Sequence, residues 1–128
     1  MEYECGPLLL FSKDKIRMMD FLSDVFEFDV DSIDESIQRG PLSLKLCSNN
    51  SSNPPVNQCN IIFSFKVKSE NELKEIISKY NFFLYRKSLV ANFGESIEFN
   101  ETENRKILTI SDIDQRLWRF ELDFRRDI

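Results

Sequence analysis

The side chains of this chain that could perform chemistry are carboxylates, lysines, arginines, serines and three cysteines, because its 128 residues include no histidine. The lack of histidine excludes a Ser-His-Asp triad, a Cys-His pair and every histidine-based metal site. Two acidic segments, Asp29-Val30-Asp31 and Asp112-Ile113-Asp114, do not have the spacing of an EF-hand loop. We interpret these acids as turn residues.

The cysteines, Cys5, Cys47 and Cys59, are odd in number and form no Cys-x-x-Cys motif. We expect three reduced, partly buried thiols, which is consistent with a cytoplasmic protein. A reactive thiol needs a cationic, partly exposed environment. Cys47 has a nearby cation, Lys45, two residues earlier.

The charge and hydropathy of the chain exclude several kinds of partner. A formal net charge of −5 does not provide the basic surface that nucleic acid or an anionic membrane requires. The longest apolar run, residues 7–11, is far shorter than the roughly 20 residues of a membrane-spanning helix. That run follows Glu2 and Glu4 instead of basic residues, so we expect no secretory signal.

The elements that must position the chemical side chains occur twice in the same order. The first set is an apolar strand at 7–11, a helix at 14–26, two short strands, and the alternating strand 42–47. The second set opens with a strand at 61–67. A Ser69–Glu72 capping box then begins a helix over 70–80. Strand-like runs follow at 82–86, 96–99, 107–111 and 117–124.

In each set, one helix covers one sheet face, so alternate strand side chains must face away from it. The outward residues are polar: Ser43, Lys45 and Cys47 in the first set, and Ser64, Lys66, Arg119 and Glu121 in the second. Alternation does not decide whether they meet solvent or line a cleft. Several aromatic residues are candidates for an apolar pocket or a dimer surface: Tyr3, Phe82, Phe83, Tyr85 and Phe93. Because neighbours on a strand face opposite sides, one of Phe82 and Phe83 should face away from the helix.

Two motifs of the chain resemble the vicinal oxygen chelate superfamily, which includes glyoxalase I, the bleomycin-resistance proteins and the extradiol dioxygenases. Residues 12–14 and 21–30 look like its opening strand end and first helix, and residues 112–120 look like its closing turn and strand. The resemblance covers nearly the whole chain and implies an α+β fold, in which two βαβββ repeats form a curved mixed sheet with the helices on the outer face. We expect one glyoxalase-like domain over 1–128, with repeat one at 6–47, a linker at 48–58 and repeat two at 59–125.

The chain departs from this family at its turns. Glu27 stands where the family has glycine at the end of the first helix, so we expect a left-handed cap there to be strained or absent. Ile113 and Gln115 stand where the closing turn usually has proline and glycine.

The chain also departs from the family at the metal. Metal-using members bind a divalent ion through His and Glu from four strands, and the matching positions fall near Pro7, Lys45, Ile62 and Arg119. None of these is a suitable ligand, and two are cations. We therefore expect no functional metal and no cofactor.

The resemblance gives Lys45 and Arg119 equivalent places in the two repeats, on strands that meet across the cleft of this fold. They are clamps for a carboxylate or phosphate, or Arg119 is half of a salt bridge with Glu121 or another acid. The candidate ligand contacts are Lys45, Arg119, Glu121, Ser64, Lys66, Cys47 and Phe11.

The predicted function is a metal-free protein, similar in kind to the bleomycin-resistance group, that binds a small anionic or aromatic molecule in a cleft. One alternative is a metal-independent enzyme with Glu121 as general base. Another is an interaction or regulatory module whose cleft is filled by Leu9, Phe11, Ile62 and Leu117. We expect a cytoplasmic homodimer that binds neither nucleic acid nor membrane, and we do not expect metal-dependent glyoxalase or dioxygenase activity.

Overall fold

The computed structural model describes residues 1–48, 61–86 and 97–124. The chain divides into two compact units, Met1–Pro55 and Val56–Ile128. Residues 49–58 of the predicted linker, together with Cys59 and Phe93, lie outside the described residues.

The described residues of the first unit form one mixed four-stranded sheet and one helix. Its elements are β1 (Leu8–Ser12), α1 (Lys15–Phe26), β2 (Asp29–Asp31), β3 (Ser36–Arg39) and β4 (Leu42–Ser48). The strand order is β1-β4-β3-β2, with β1 parallel to β4 and the other neighbours antiparallel.

The second unit repeats this topology. Its elements are β5 (Phe63–Val67), α2 (Glu70–Arg86), β6 (Ile97–Glu101), β7 (Arg105–Ser111) and β8 (Leu117–Asp123). The strand order is β5-β8-β7-β6, again with the first strand parallel to the last. The predicted α+β fold with two βαβββ repeats is therefore confirmed.

The core of the first unit lies between α1 and its sheet. Asp14 begins the helix, because its carboxylate accepts a hydrogen bond from the Arg17 amide at 3.1 Å. The apolar residues along one face of the helix are buried: Met18, Phe21, Leu22 and Val25. The inward residues Leu44 and Leu46 of β4 are also buried. The residues spaced three or four apart on the helix thus pack in one apolar layer with the alternate residues of the strand.

The core of the second unit is aromatic. Phe63 of β5 stacks on Trp118 of β8 at 4.5 Å between ring centroids, and Phe65 stacks on Phe120 at 5.4 Å. These pairs face each other because β5 and β8 run parallel with Phe63 in register with Trp118. Trp118 is fully buried.

The start of α2 is fixed by a capping box and by an ion pair to the sheet. Ser69 Oγ accepts from the Glu72 amide at 3.3 Å, and the Glu72 carboxylate accepts from the Lys68 amide at 2.6 Å. Lys106 of β7 donates to the Glu70 carboxylate. This hydrogen bond lowers the pKa of Glu70 and raises the pKa of Lys106.

The strand predicted at 82–86 is wrong, because α2 continues to Arg86. Phe83 lies three residues after Tyr80 on the same helical face, and both are fully buried. Phe82 points away from the core and is exposed, as are Tyr3 and Tyr85. Phe82 and Phe83 do face different directions, but the cause is the spacing of residues on a helix and not the alternation of a strand.

Of the two outcomes expected at Glu27, an absent or a strained left-handed cap, the structure has the left-handed cap. Glu27 has φ 62° and ψ 36°, its own amide donates to the Leu22 carbonyl, and the amide of Phe28 donates to the same carbonyl at 3.1 Å. Arg39 Nη1 donates to the Glu27 carbonyl at 2.9 Å. These bonds hold a side-chain-bearing residue in a conformation that favours glycine.

Glu27→Gly is therefore expected to stabilise the protein by about 0.5–1 kcal/mol, because it removes the strain of a left-handed residue and glycine's greater unfolded-state entropy offsets part of that gain. The urea midpoint measures this change. The matched control, Ser23→Gly at an exposed interior position of α1, should lower stability by up to about 1 kcal/mol. Equal effects of both variants would contradict a strained cap.

Candidate functional site

Polar side chains form two cross-strand rows on the face of the second sheet that points away from α2. In the first row Arg119 lies between Ser64 of β5 and Thr109 of β7. In the second row Glu121 lies between Lys66 and Ile107. The structure thus brings together the four candidates that the sequence places in this repeat.

Glu121 is the central charged group of this face. One of its oxygens lies 3.2 Å from Arg105 Nη1 and the other lies 3.3 Å from Arg119 Nη2. The salt bridge that the sequence allowed for Arg119 is present, and it includes a second arginine that sequence reasoning missed. Arg105 lies two residues before Ile107 on β7, so the same alternation that placed Glu121 would also have placed Arg105 on this face.

Arg119 has hydrogen-bonding capacity to spare. Its Nε is removed from solvent, and within residues 1–48, 61–86 and 97–124 no atom accepts a hydrogen bond from it. A guanidinium carries five N–H donors, and the Nη2 contact with Glu121 uses one of them. A buried donor without an acceptor costs free energy, which an added acceptor would recover.

The first sheet presents a corresponding but more apolar face. Lys45 of β4 lies between Leu9 of β1 and Ser36 of β3, and Phe11 is in register with Cys47. Lys45 and Phe11 are exposed, and Cys47 is half-buried. Cys5 is exposed, which corrects the expectation of a partly buried thiol at that position.

The register places Lys45 and Arg119 at equivalent positions of the two repeats. Their parallel neighbours are Leu9 and Ser64. Leu9 precedes the cap Asp14 by five residues (14 − 9), and Ser64 precedes the cap Ser69 by five (69 − 64). Lys45 belongs to the first unit and Arg119 to the second.

The strand that carries Arg119 and Glu121 is anchored at its start by Asp112, which is fully buried in the turn before it. One carboxylate oxygen accepts from the amides of Asp114 at 2.8 Å and Arg116 at 3.0 Å. The other accepts from Arg116 Nη1 at 3.0 Å and from the indole Nε1 of Trp118 at 2.8 Å. Gln115 completes the turn with φ 67°.

Two opposing influences act on Asp112. Burial raises the pKa of this carboxyl, while the Arg116 guanidinium, the Trp118 indole and the two amides act in the opposite direction. The raised pKa records a net cost of burying the charge. The interpretation as turn acids is thus correct for Asp112 and wrong for Asp29 and Asp31, which lie on β2. The alternation pattern gave no sign that the partners of Asp112 would be Arg116 and Trp118.

A divalent cation does not fit the residues at the positions that the family resemblance implies. Pro7 and Ile62 lie just before β1 and β5 and have no partner in the register of those strands. The residues of β1 and β5 that lie opposite Lys45 and Arg119 are Leu9 and Ser64. Leucine, lysine, serine and arginine are not a ligand set for such an ion. In the described part of the chain, no group of three or more Cys, Asp or Glu side chains is arranged to hold a metal.

Neither helix among the described residues has the length and apolar character needed to cross a membrane.

No protein-family model and no curated protein matches the chain, whereas solved structures match along nearly its full length. A glyoxylase/bleomycin resistance protein/dioxygenase domain from Frankia sp. EAN1pec has a TM-score of 0.66 and 14% identity, with 100% of this chain and 96% of that chain covered. A hypothetical protein from Staphylococcus aureus also has a TM-score of 0.66, with 15% identity and 93% and 96% covered.

A third similar structure is a variant of the fosfomycin resistance protein FosX from Listeria monocytogenes. It has a TM-score of 0.59 and 16% identity, with 98% of this chain and 93% of that chain covered, and it was solved with Mn(II) and 1S,2S-dihydroxypropylphosphonic acid. These structures share one fold with the chain. The chain has the fold of glyoxalase/bleomycin resistance/dioxygenase domains, and the resemblance to the vicinal oxygen chelate superfamily is confirmed at the level of the fold.

Proposed function

We propose that the chain is a metal-free binding protein for a small anionic or aromatic molecule, and that Arg119 is its main contact with a ligand anion. The observation that carries this proposal is the buried Arg119 Nε, which lies in a row with the hydroxyls of Ser64 and Thr109. Hydroxyls and a guanidinium are the donors that recognise carboxylate and phosphate oxygens. Lys66, beside Glu121, adds a positive charge to this face.

Lys45, Cys47 and Phe11 are proposed as ligand contacts on the first sheet, because its open face combines a cation with an aromatic ring. A similar solved structure holds a small organic acid together with Mn(II). The described residues at the corresponding positions do not supply metal donors, so we propose that the cationic side chains themselves bind the anion. The homodimer stays a prediction.

The alternatives have less support. A general base needs a carboxylate oxygen available to a proton, whereas both oxygens of Glu121 contact arginines. A filled cleft requires packed side chains, whereas the four bulky residues proposed to fill it are exposed: Leu9, Phe11, Ile62 and Leu117.

The test is an NMR titration of the Arg119 Nε–Hε signal with benzoate and with inorganic phosphate. The signal is assigned by its loss in Arg119→Lys. We expect a saturable downfield shift with at least one probe, because the bound anion becomes the missing acceptor. Sodium chloride at the same ionic strength is the control, and a shift equal to that of chloride would refute the proposal.

A further inference from the structure

The contact between Glu121 and Arg119 lies on the part of the guanidinium that an anion would use. Nε and Nη2 point to the same edge of an arginine side chain, and this edge can bind both oxygens of a carboxylate or phosphate at once. Glu121 occupies Nη2 at 3.3 Å, while Nε is without an acceptor among the described residues. The edge is therefore half occupied.

Glu121 is well placed to keep that position. Its side chain is 14% exposed, and Arg105 Nη1 contacts its second oxygen at 3.2 Å. Arg119 is more exposed, at 36%. An incoming anion would thus reach the arginine, but it would meet an internal carboxylate already bound to one of the two donors it needs.

We propose that Glu121 is the specificity-determining residue of this site, acting as an internal counter-ion that competes with the ligand for Arg119. This inference rests on the proposed anion-binding function. A ligand that accepts from Nε alone leaves the Glu121 contact intact, whereas a ligand that also binds Nη2 shares that nitrogen with Glu121, whose negative charge opposes the charge of the ligand.

The experiment compares the dissociation constants of benzoate and inorganic phosphate for the wild type and Glu121→Gln by calorimetry. Gln keeps the size of the side chain and removes the competing charge. We expect affinity to rise about tenfold or more for the probe that binds, because the negative charge that opposes the anion at Arg119 is removed. Glu98→Gln is the matched control, because Glu98 lies on the same face beside Thr109 and has no described contact with Arg119. Its affinity should equal that of the wild type.

The outcomes separate this inference from the proposed function. Unchanged or weaker binding by Glu121→Gln overturns the inference, and the proposed function stands if Arg119→Ala still loses binding. Binding that appears in Glu121→Gln but not in the wild type supports the inference in its strongest form. If neither probe binds either protein, both proposals fall. Glu121→Ala repeats the comparison without the hydrogen bonds that a glutamine side chain could form.

Discussion

Asp112→Asn is expected to lower the free energy of unfolding by about 3–5 kcal/mol, because it removes one partner of a buried ion pair. The side chains of Asp112 and Arg116 are 0% and 4% exposed. If the NH2 group of asparagine replaced the oxygen that accepts from Arg116 and Trp118, this group would be a donor facing two other donors, and neither hydrogen bond could form. The loss is a large share of the roughly 5–15 kcal/mol that holds a typical domain folded.

Urea unfolding followed by circular dichroism measures this change. Tryptophan fluorescence is not used, because the signal of Trp118 would respond to the lost hydrogen bond itself. Asp29→Asn, an exposed aspartate on β2, should change stability by less than about 0.5 kcal/mol. In Asp112→Asn/Arg116→Met no uncompensated charge remains. The double variant should therefore cost about 2 kcal/mol less than the sum of its single changes. Additive costs would show that the two side chains are not coupled.

Arg119→Ala is expected to weaken the binding of benzoate or phosphate about tenfold to a hundredfold, since one or more charge-assisted hydrogen bonds are lost. Its effect on stability should stay below about 1 kcal/mol, because a partly exposed salt bridge contributes little. Calorimetry and a thermal melt of the same samples separate the two effects.

Arg17→Ala on α1 is the matched control, because Arg17 also has a partly exposed side chain and an ion pair, with Asp14 at 3.8 Å. Its affinity for either probe should not change. A variant of Arg119 that melts at a lower temperature but binds as the wild type does would make this arginine a structural partner of Glu121 and nothing more.

The repeated order of elements and the outward residues of the second sheet were predictable from the sequence, because each rests on a short periodic pattern. Leu73 and Tyr80 also carried the information that α2 continues, since the same spacing reaches Phe83 and no glycine or proline follows before Arg86. The aromatic run 82–86 was read as a strand because Phe and Tyr are common in strands. Packing of Phe83 in the core outweighs that preference.

The pairings of charged side chains were less predictable. Alternation put Arg119 and Glu121 on one face, but the choice between a clamp and a salt bridge depends on rotamers that no pattern encodes. Arg105 was missed because the predicted strand began at Ile107, whereas β7 begins at Arg105. The buried indole N–H of Trp118 needs a hydrogen-bond partner, and the structure supplies Asp112. That partner lies six residues earlier across a turn, where neither helical nor strand periodicity applies.

The parallel pairing of first and last strands has a consequence for how each unit folds. Phe63 pairs with Trp118, which lies 55 residues later in the sequence (118 − 63). Leu8 pairs with Leu44, which lies 36 residues later (44 − 8). The longer loop costs only about 0.4 kcal/mol more entropy to close, so the difference in length leaves the two folding rates similar. During synthesis, however, the apolar strand Leu8–Ser12 emerges first and has no partner until β4 is made. Its unpaired edge is exposed to aggregation for that interval.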